Sequence, residues 1–173
     1  NLSLLKTIRA KTNNRLTKIH GRKCVVKDIT VAAARIFYNE NHLQGFAAAK
    51  FHYGLFYNNE LVSAMSFSTP RVGMGRTWPN GSFELSRFSS SHSVVGGAGK
   101  LLSHFIKSKK PTQIYSFSNN FYSAGNVYSK LGFSLVENVP VSYYYLAPDS
   151  AILEHRFKYA KMKLKNMPHY SEL

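Results

Sequence analysis

Ser93-Val-Val-Gly-Gly-Ala-Gly-Lys100 runs directly into Leu-Leu-Ser-His-Phe-Ile, so a glycine-rich loop opens onto a helix. Ala98, Leu101, Leu102 and Phe105 share one helical face, and Pro111 closes the element. Outward-pointing N–H groups and the helix dipole make such a start a natural seat for a phosphate. Glycines let a ligand approach the backbone closely. The plainer role is close packing of a helix on a sheet. Glu84-Leu-Ser-Arg-Phe88 is a second group. A carboxylate at Glu84 can act as a general base, directly or through water. Strand alternation puts Glu84 and Arg87 on opposite faces, so both serve one site only if the strand bulges. The other reading is a surface glutamate beside a phosphate-binding arginine. His42, in Asn41-His-Leu-Gln-Gly45, offers an imidazole as base or metal ligand, or is simply a solvated turn residue. The remaining histidines show no ligand spacing, so no metal site is expected.

The elements that must position these groups can be read in order. Residues 1–19 form a basic arm, and Lys23–Ile29 is a strand. Thr30–Asn39 is a helix with Ile36 and Phe37 inward. His52–Tyr57 and Leu61–Phe67 are strands joined through Asn58-Asn59, a hairpin signal. Pro70–Gly81 carries Arg71, Arg76 and the single Trp78, and reads as a mobile surface loop. Phe83–Phe88 and Gln113–Ser118 are strands on either side of the glycine-loop helix. In Asn120–Phe133, Ser123 is an N-cap, Ala124, Val127, Tyr128 and Leu131 fall on one face, and Gly132 stands where a left-handed C-cap is wanted. Phe133–Glu137 and Val141–Leu146 are the final strands. The expected divisions are an arm at 1–19, a domain at 20–150 and a basic segment at 151–173.

Bulk properties narrow the classes. A chain of 173 residues, 44% hydrophobic and 14% aromatic, suits one folded domain with a core. No apolar run reaches membrane-spanning length, and no membrane partner is expected. A single cysteine, Cys24, allows no internal disulfide and fits a reducing cytoplasm. The first residue is not Met, so the N-terminus is processed or the chain is a fragment. Net charge is +15, from 23 Lys+Arg against 8 Asp+Glu. Such one-sided charge points to a polyanionic partner, nucleic acid first. It gathers at the ends, where Arg156, Lys158 and Lys161 are candidate phosphate contacts, while Trp78 beside Arg71 and Arg76 offers a stacking surface.

An asparagine, a short helix carrying Tyr128 and then Lys130-Leu-Gly-Phe133 resembles the acyl-CoA-binding end of the GNAT N-acyltransferase superfamily. So does the small-residue loop at Gly96-Gly97-Ala98, although Ser93 stands where Gln or Arg is usual. The resemblance implies an α/β (mixed α+β) fold: a twisted, mostly antiparallel mixed sheet with helices on both faces. It implies acetyl-CoA or a related acyl-CoA held by Val95, Gly96, Gly97, Ala98, Gly99, Lys100 and Asn120, with Tyr128 protonating the departing thiolate and Glu84 as general base. More narrowly, Gly21–Cys24, Asn41–Gly45, Gly54–Ser63, Glu84–Phe88, Val94–Gly97 and Tyr143–Tyr145 are similar to phage GNAT-like domains, those of the Mom DNA-modification type and those associated with homing endonucleases. That likeness implies His42, Glu84, Arg87, Ser116 and Tyr128 lining one cleft, in a phage-encoded protein of the bacterial cytoplasm that modifies a nucleobase amine and so blocks restriction. Relatives carry Asp where this chain has Asn119, which cannot act as a base. Two other readings stay open: a silent DNA-binding domain beside an attached or partner nuclease, and a conventional N-acetyltransferase.

Overall fold

The computed structural model describes residues 18–70, 77–119, 125–139, 144–146, 153–155 and 159. The chain divides into two compact units, residues 1–134 and 135–173. In the first, β1 (Lys18–His20), a 3-10 turn (Gly21–Lys23) and β2 (Val25–Asp28) precede α1 (Val31–Asn41). Then come β3 (Phe51–Tyr57), β4 (Glu60–Ser68), β5 (Ser82–Ser90), β6 (Ser93–Val95), α2 (Gly97–Lys109), β7 (Gln113–Tyr115) and α3 (Asn126–Lys130). In the second unit β8 (Tyr144–Leu146) and β9 (Leu153–His155) pair antiparallel.

The main sheet has the order β2-β3-β4-β5-β7, antiparallel except for the parallel β5–β7 pair. β1 and β6 form a separate parallel pair. The β3–β4 hairpin turns at Asn58 and Asn59, whose φ values of 48° and 64° are those a tight hairpin needs and asparagine tolerates.

Alternation along β4 sorts the two layers. Ser66 faces α1, where its Oγ lies 2.7 Å from the Tyr38 hydroxyl and 2.7 Å from His52 Nδ1. Phe67 faces α2, where its ring stacks on Phe105 with centroids 3.6 Å apart and 4° between planes. Around that stack Tyr53, Leu55, Met65, Leu85 and Leu101 form the larger core; Ala34, Phe37, Tyr38 and Ala64 form the smaller one under α1. Helices therefore cover both faces.

Several expectations are corrected here. Ile36 is 62% exposed rather than inward, because Ala34, Phe37 and Tyr38 define the buried stripe and Ile36 lies about 200° from Ala34. Thr30, just before α1, caps it by accepting from the Ala33 N–H at 3.2 Å. Phe133–Glu137 is not a strand; Leu135 and Val136 are 81% and 89% exposed. β1, β6 and β9 are additional strands of three residues, shorter than a periodicity can register. Ser123 and Ala124 lie outside the described residues, and α3 starts after Gly125, which is left-handed at φ 73°. Gly132 takes the expected left-handed conformation, φ 85°.

Candidate active site

The β5–β7 ladder is short. It joins Ser82, Phe83 and Glu84 to Gln113, Ile114 and Tyr115, and then the strands part. A cleft of about 90 Å³ opens where they separate, lined by His42, Gln44, Leu85, Ser86, Arg87, Phe88, Phe117, Val127, Tyr128 and Leu131. His42 and Arg87 come from the α1 side. Tyr128 and Leu131 pack against the core under α2. The cleft therefore passes through the sheet and draws residues from both layers.

Tyr128, Ser116 and Leu85 form a hydrogen-bonded row. Ser116 Oγ lies 2.8 Å from the Leu85 carbonyl and 3.2 Å from the Tyr128 hydroxyl. A serine hydroxyl carries one proton. Ser116 can direct it to the Leu85 carbonyl or to the Tyr128 hydroxyl, the two acceptors within its reach. Should Tyr128 lose its proton, a rotation about the Ser116 C–O bond turns the same group into a donor to the phenolate.

Arg87 is held by the loop after α1 and by its own strand. Its Nε donates to the Gly45 carbonyl at 3.0 Å, and its Nη1 donates to the Ser86 carbonyl at 2.8 Å. The alternation problem between Glu84 and Arg87 is resolved by a bulge. Across β4, Ser68 pairs Glu84, Phe67 pairs Leu85 and Ser66 pairs Arg87, so Ser86 is the extra residue. Ser86 Oγ hydrogen-bonds Ser68 Oγ at that point. Ser66 and Ser68 share a face, and so do the residues opposite them, Arg87 and Glu84. Glu84 is buried, the only buried carboxylate among the described residues, and does not line the cleft.

His42 follows α1 directly and lines the cleft. Burial, and then the charge of Arg87, push its imidazole down to about 4. Geometry agrees: Nδ1 accepts from the Gln44 N–H at 3.1 Å, which requires a lone pair there. The ring is thus neutral at pH 7, with its proton on Nε2. In this state Nε2 is a hydrogen-bond donor, suited to polarising a carbonyl oxygen, and neither nitrogen offers a free lone pair for a base.

The glycine loop lies at the start of α2. Gly96 is left-handed, φ 74°, and a Cβ built on it meets nothing within 4 Å. One built on Gly99 meets only Leu131 Cδ2, at 3.9 Å, so the first turn of α2 stands beside the cleft wall. Among the described residues no side chain comes within 4 Å of a Cβ at Gly96. The ammonium of Lys100, expected to meet phosphate, donates instead to the carbonyls of Gly21 at 3.1 Å and Cys24 at 2.6 Å. Gly21 packs so tightly on the loop that a Cβ there would come 2.9 Å from the Val95 carbonyl oxygen. An open groove of about 430 Å³ adjoins the loop, lined by His20, Gly21, Arg22, Val95, Gly96 and Lys100.

The structure thus gathers His42, Arg87 and Tyr128 in one cleft, with Ser116 bonded to Tyr128. Val95–Lys100 stands at the α2 end, and Glu84 lies within the sheet on the face Arg87 shares. Trp78 does not line the cleft; it lies face to face on Tyr115 with centroids 3.8 Å apart. Asn120, Arg71, Arg76, Arg156, Lys158 and Lys161 lie outside the described residues. Gln44 and Phe117 line the cleft without having been assigned a role from the sequence. The available signal for Phe117 was its place two residues from Tyr115 in the expected strand Gln113–Ser118, although β7 ends at Tyr115.

Among solved structures, the aminoglycoside 6'-N-acetyltransferase AAC(6')-IG of Acinetobacter haemolyticus superposes with a TM-score of 0.52 at 13% identity, over 71% of this chain and 99% of that one. The fold is GNAT-like. A transcriptional regulator from Bacillus halodurans C-125 also superposes, with a TM-score of 0.50 at 12% identity, over 69% of this chain and 99% of its own. At these identities the likeness is one of fold. No protein-family model and no curated protein matches the sequence. The GNAT-like fold agrees with the expected mixed sheet with helices on both faces, and with the sequence likeness around Tyr128 and Gly96–Ala98. Among the described residues, no helix is long and apolar enough to cross a membrane, and no cluster of three or more His, Cys, Asp and Glu is placed to hold a metal ion.

Proposed function

We propose that the chain is an acyl-CoA-dependent N-acyltransferase whose acceptor is a nucleobase amine in DNA, a modification of the anti-restriction kind. The observation that carries this is the makeup of the cleft. Tyr128 presents a hydroxyl backed by Ser116, His42 a neutral N–H donor, and Arg87 a fixed positive charge, with no carboxylate among the described lining residues. A polycationic acceptor would want carboxylates there. A neutral amine attached to a phosphate chain suits an arginine-lined mouth on a protein of net charge +15.

The residues fit an acyl-CoA. The open Gly96 cradle and the amides of Gly97, Ala98 and Gly99 would hold the diphosphate, the adjoining Arg22 adding charge. When bound, the thioester supplies an activated acyl carbon and a thiol leaving group. Tyr128 holds the proton that a leaving thiolate needs, and Ser116 stabilises the phenolate left behind. His42 Nε2–H donates toward developing oxyanion charge. Glu84, buried in the sheet on the same face as Arg87, takes up the amine's proton through water.

Nucleoside mass spectrometry on DNA from cells expressing the chain tests this reading. One base should gain mass, and the gain should vanish with Tyr128→Phe while DNA binding persists. Unmodified nucleosides together with intact DNA binding would favour the second reading, a catalytically silent GNAT-like DNA-binding domain acting with a nuclease. The engagement of the Lys100 ammonium by protein carbonyls favours that alternative. Transfer to small amines but not to DNA would instead mark a conventional N-acetyltransferase.

A further inference from the structure

Beside the cleft runs a row of aromatic rings that the transfer chemistry does not use. Among the described residues β7 is the last strand of the main sheet, and register places Tyr115 opposite Glu84, on the same face. Trp78, just before β5, lies flat on Tyr115 with planes 7° apart. Phe117, two residues beyond Tyr115, meets that ring edge-on at 5.9 Å and 82°. Phe117 also lines the cleft mouth and is 50% exposed. The rings therefore form a corner: a Trp–Tyr wall, and at right angles to it a half-exposed phenyl face at the opening of the site.

We infer that this corner selects the acceptor by stacking, with an unpaired nucleobase laid on Phe117 at the cleft mouth and a flanking base on the outer face of Trp78. The inference rests on the transferase reading for its substrate and extends it to the state of the strand. A base in a duplex has both faces covered by its neighbours, so a phenyl platform can accept it only from a single strand or after extrusion. Stacking on aromatic side chains is the sequence-tolerant way to hold such a base. A saturated sugar amine has no flat face to offer Phe117. The charge of the chain supplies the other half of the recognition, since a strand brings phosphates wherever it brings bases.

Trp78 is the only tryptophan in the chain, so its emission reports on the corner directly. The full chain, without acyl donor, is titrated with an oligothymidylate, with an abasic strand of equal length and with a duplex of equal length, following Trp78 emission and strand anisotropy. The expected result is quenching by oligothymidylate and affinity about 10-fold or more above the abasic strand and the duplex. Phe117→Ala, a change at a half-exposed residue, should erase the preference for bases and leave abasic affinity unchanged. Equal affinity for abasic and base-bearing strands, or a preference that survives Phe117→Ala, overturns the stacking corner and leaves the DNA reading standing. Failure of every strand to bind overturns both.

Discussion

The Ser116 hydroxyl donates to the Tyr128 hydroxyl across 3.2 Å, linking the residue that follows β7 to α3. Replacing Tyr128 with Phe keeps the ring that packs on the core and removes the proton. We expect kcat to fall by about 100-fold, with KM for the acyl donor nearly unchanged, because the loss is confined to the transition state. Ser116→Ala should lower kcat by less, since the phenolate loses its donor. Release of free thiol measures both.

His42 gives the fold a pH dependence. Its folded pKa of about 4 lies below the unfolded value near 6.5, so the unfolded chain binds the proton more readily between those limits. Its contribution is complete above about pH 6.5 and is lost as pH falls through about 4, to at most about 3 kcal/mol. His52, also lowered by burial, adds loss in the same direction. The melting temperature should therefore drop on acidification from neutrality, and His42→Gln should flatten part of that slope, as thermal melts across the range would show.

Phe105→Ala would remove the ring stacked on Phe67 and leave Tyr53, Phe83 and Phe51 facing a void. The cost should be about 3–5 kcal/mol, enough to unfold much of the population in a marginal domain. Denaturant midpoints would measure it.

Gly21 and Gly96 make a contrasting pair. An alanine at Gly21 would press its methyl to 2.9 Å from the Val95 carbonyl oxygen and 3.2 Å from the Gly97 nitrogen, both backbone atoms. An alanine at Gly96 meets open space but must sit at φ 74°. We expect Gly21→Ala to cost about 1–3 kcal/mol through overpacking and Gly96→Ala about 1–2 kcal/mol through left-handed strain. Gly96→Ala should also weaken acyl-CoA binding beyond its effect on the melting temperature, as calorimetric titration would reveal.

Much of the fold was readable because its signals are local. Leu101, Leu102 and Phe105 fell on one face and are buried, and Asn58-Asn59 named its own hairpin. The glycine loop and the short tyrosine helix, in that order, pointed to the GNAT-like plan. What was illegible depends on distant partners. The pairing of β1 with β6 joins residues about 75 apart, three at a time, and no periodicity survives in three residues. The engagement of Lys100 depends on carbonyls of the turn at Gly21 and Cys24, so its sequence neighbours suggested phosphate instead. His42 could be named as a candidate, but its neutrality comes from burial and from Arg87, which only folding brings near.

The supernumerary Ser86 leaves β5 reading in two frames, one before Leu85 and one after. Deleting that single serine would rotate everything downstream by half a turn and swing the guanidinium of Arg87 to the far side of the sheet. It would also move Phe88 toward α1. Any kin of this chain that share its chemistry must keep the insertion or invent another, so an ungapped comparison that steps across this position would line up the wrong residues.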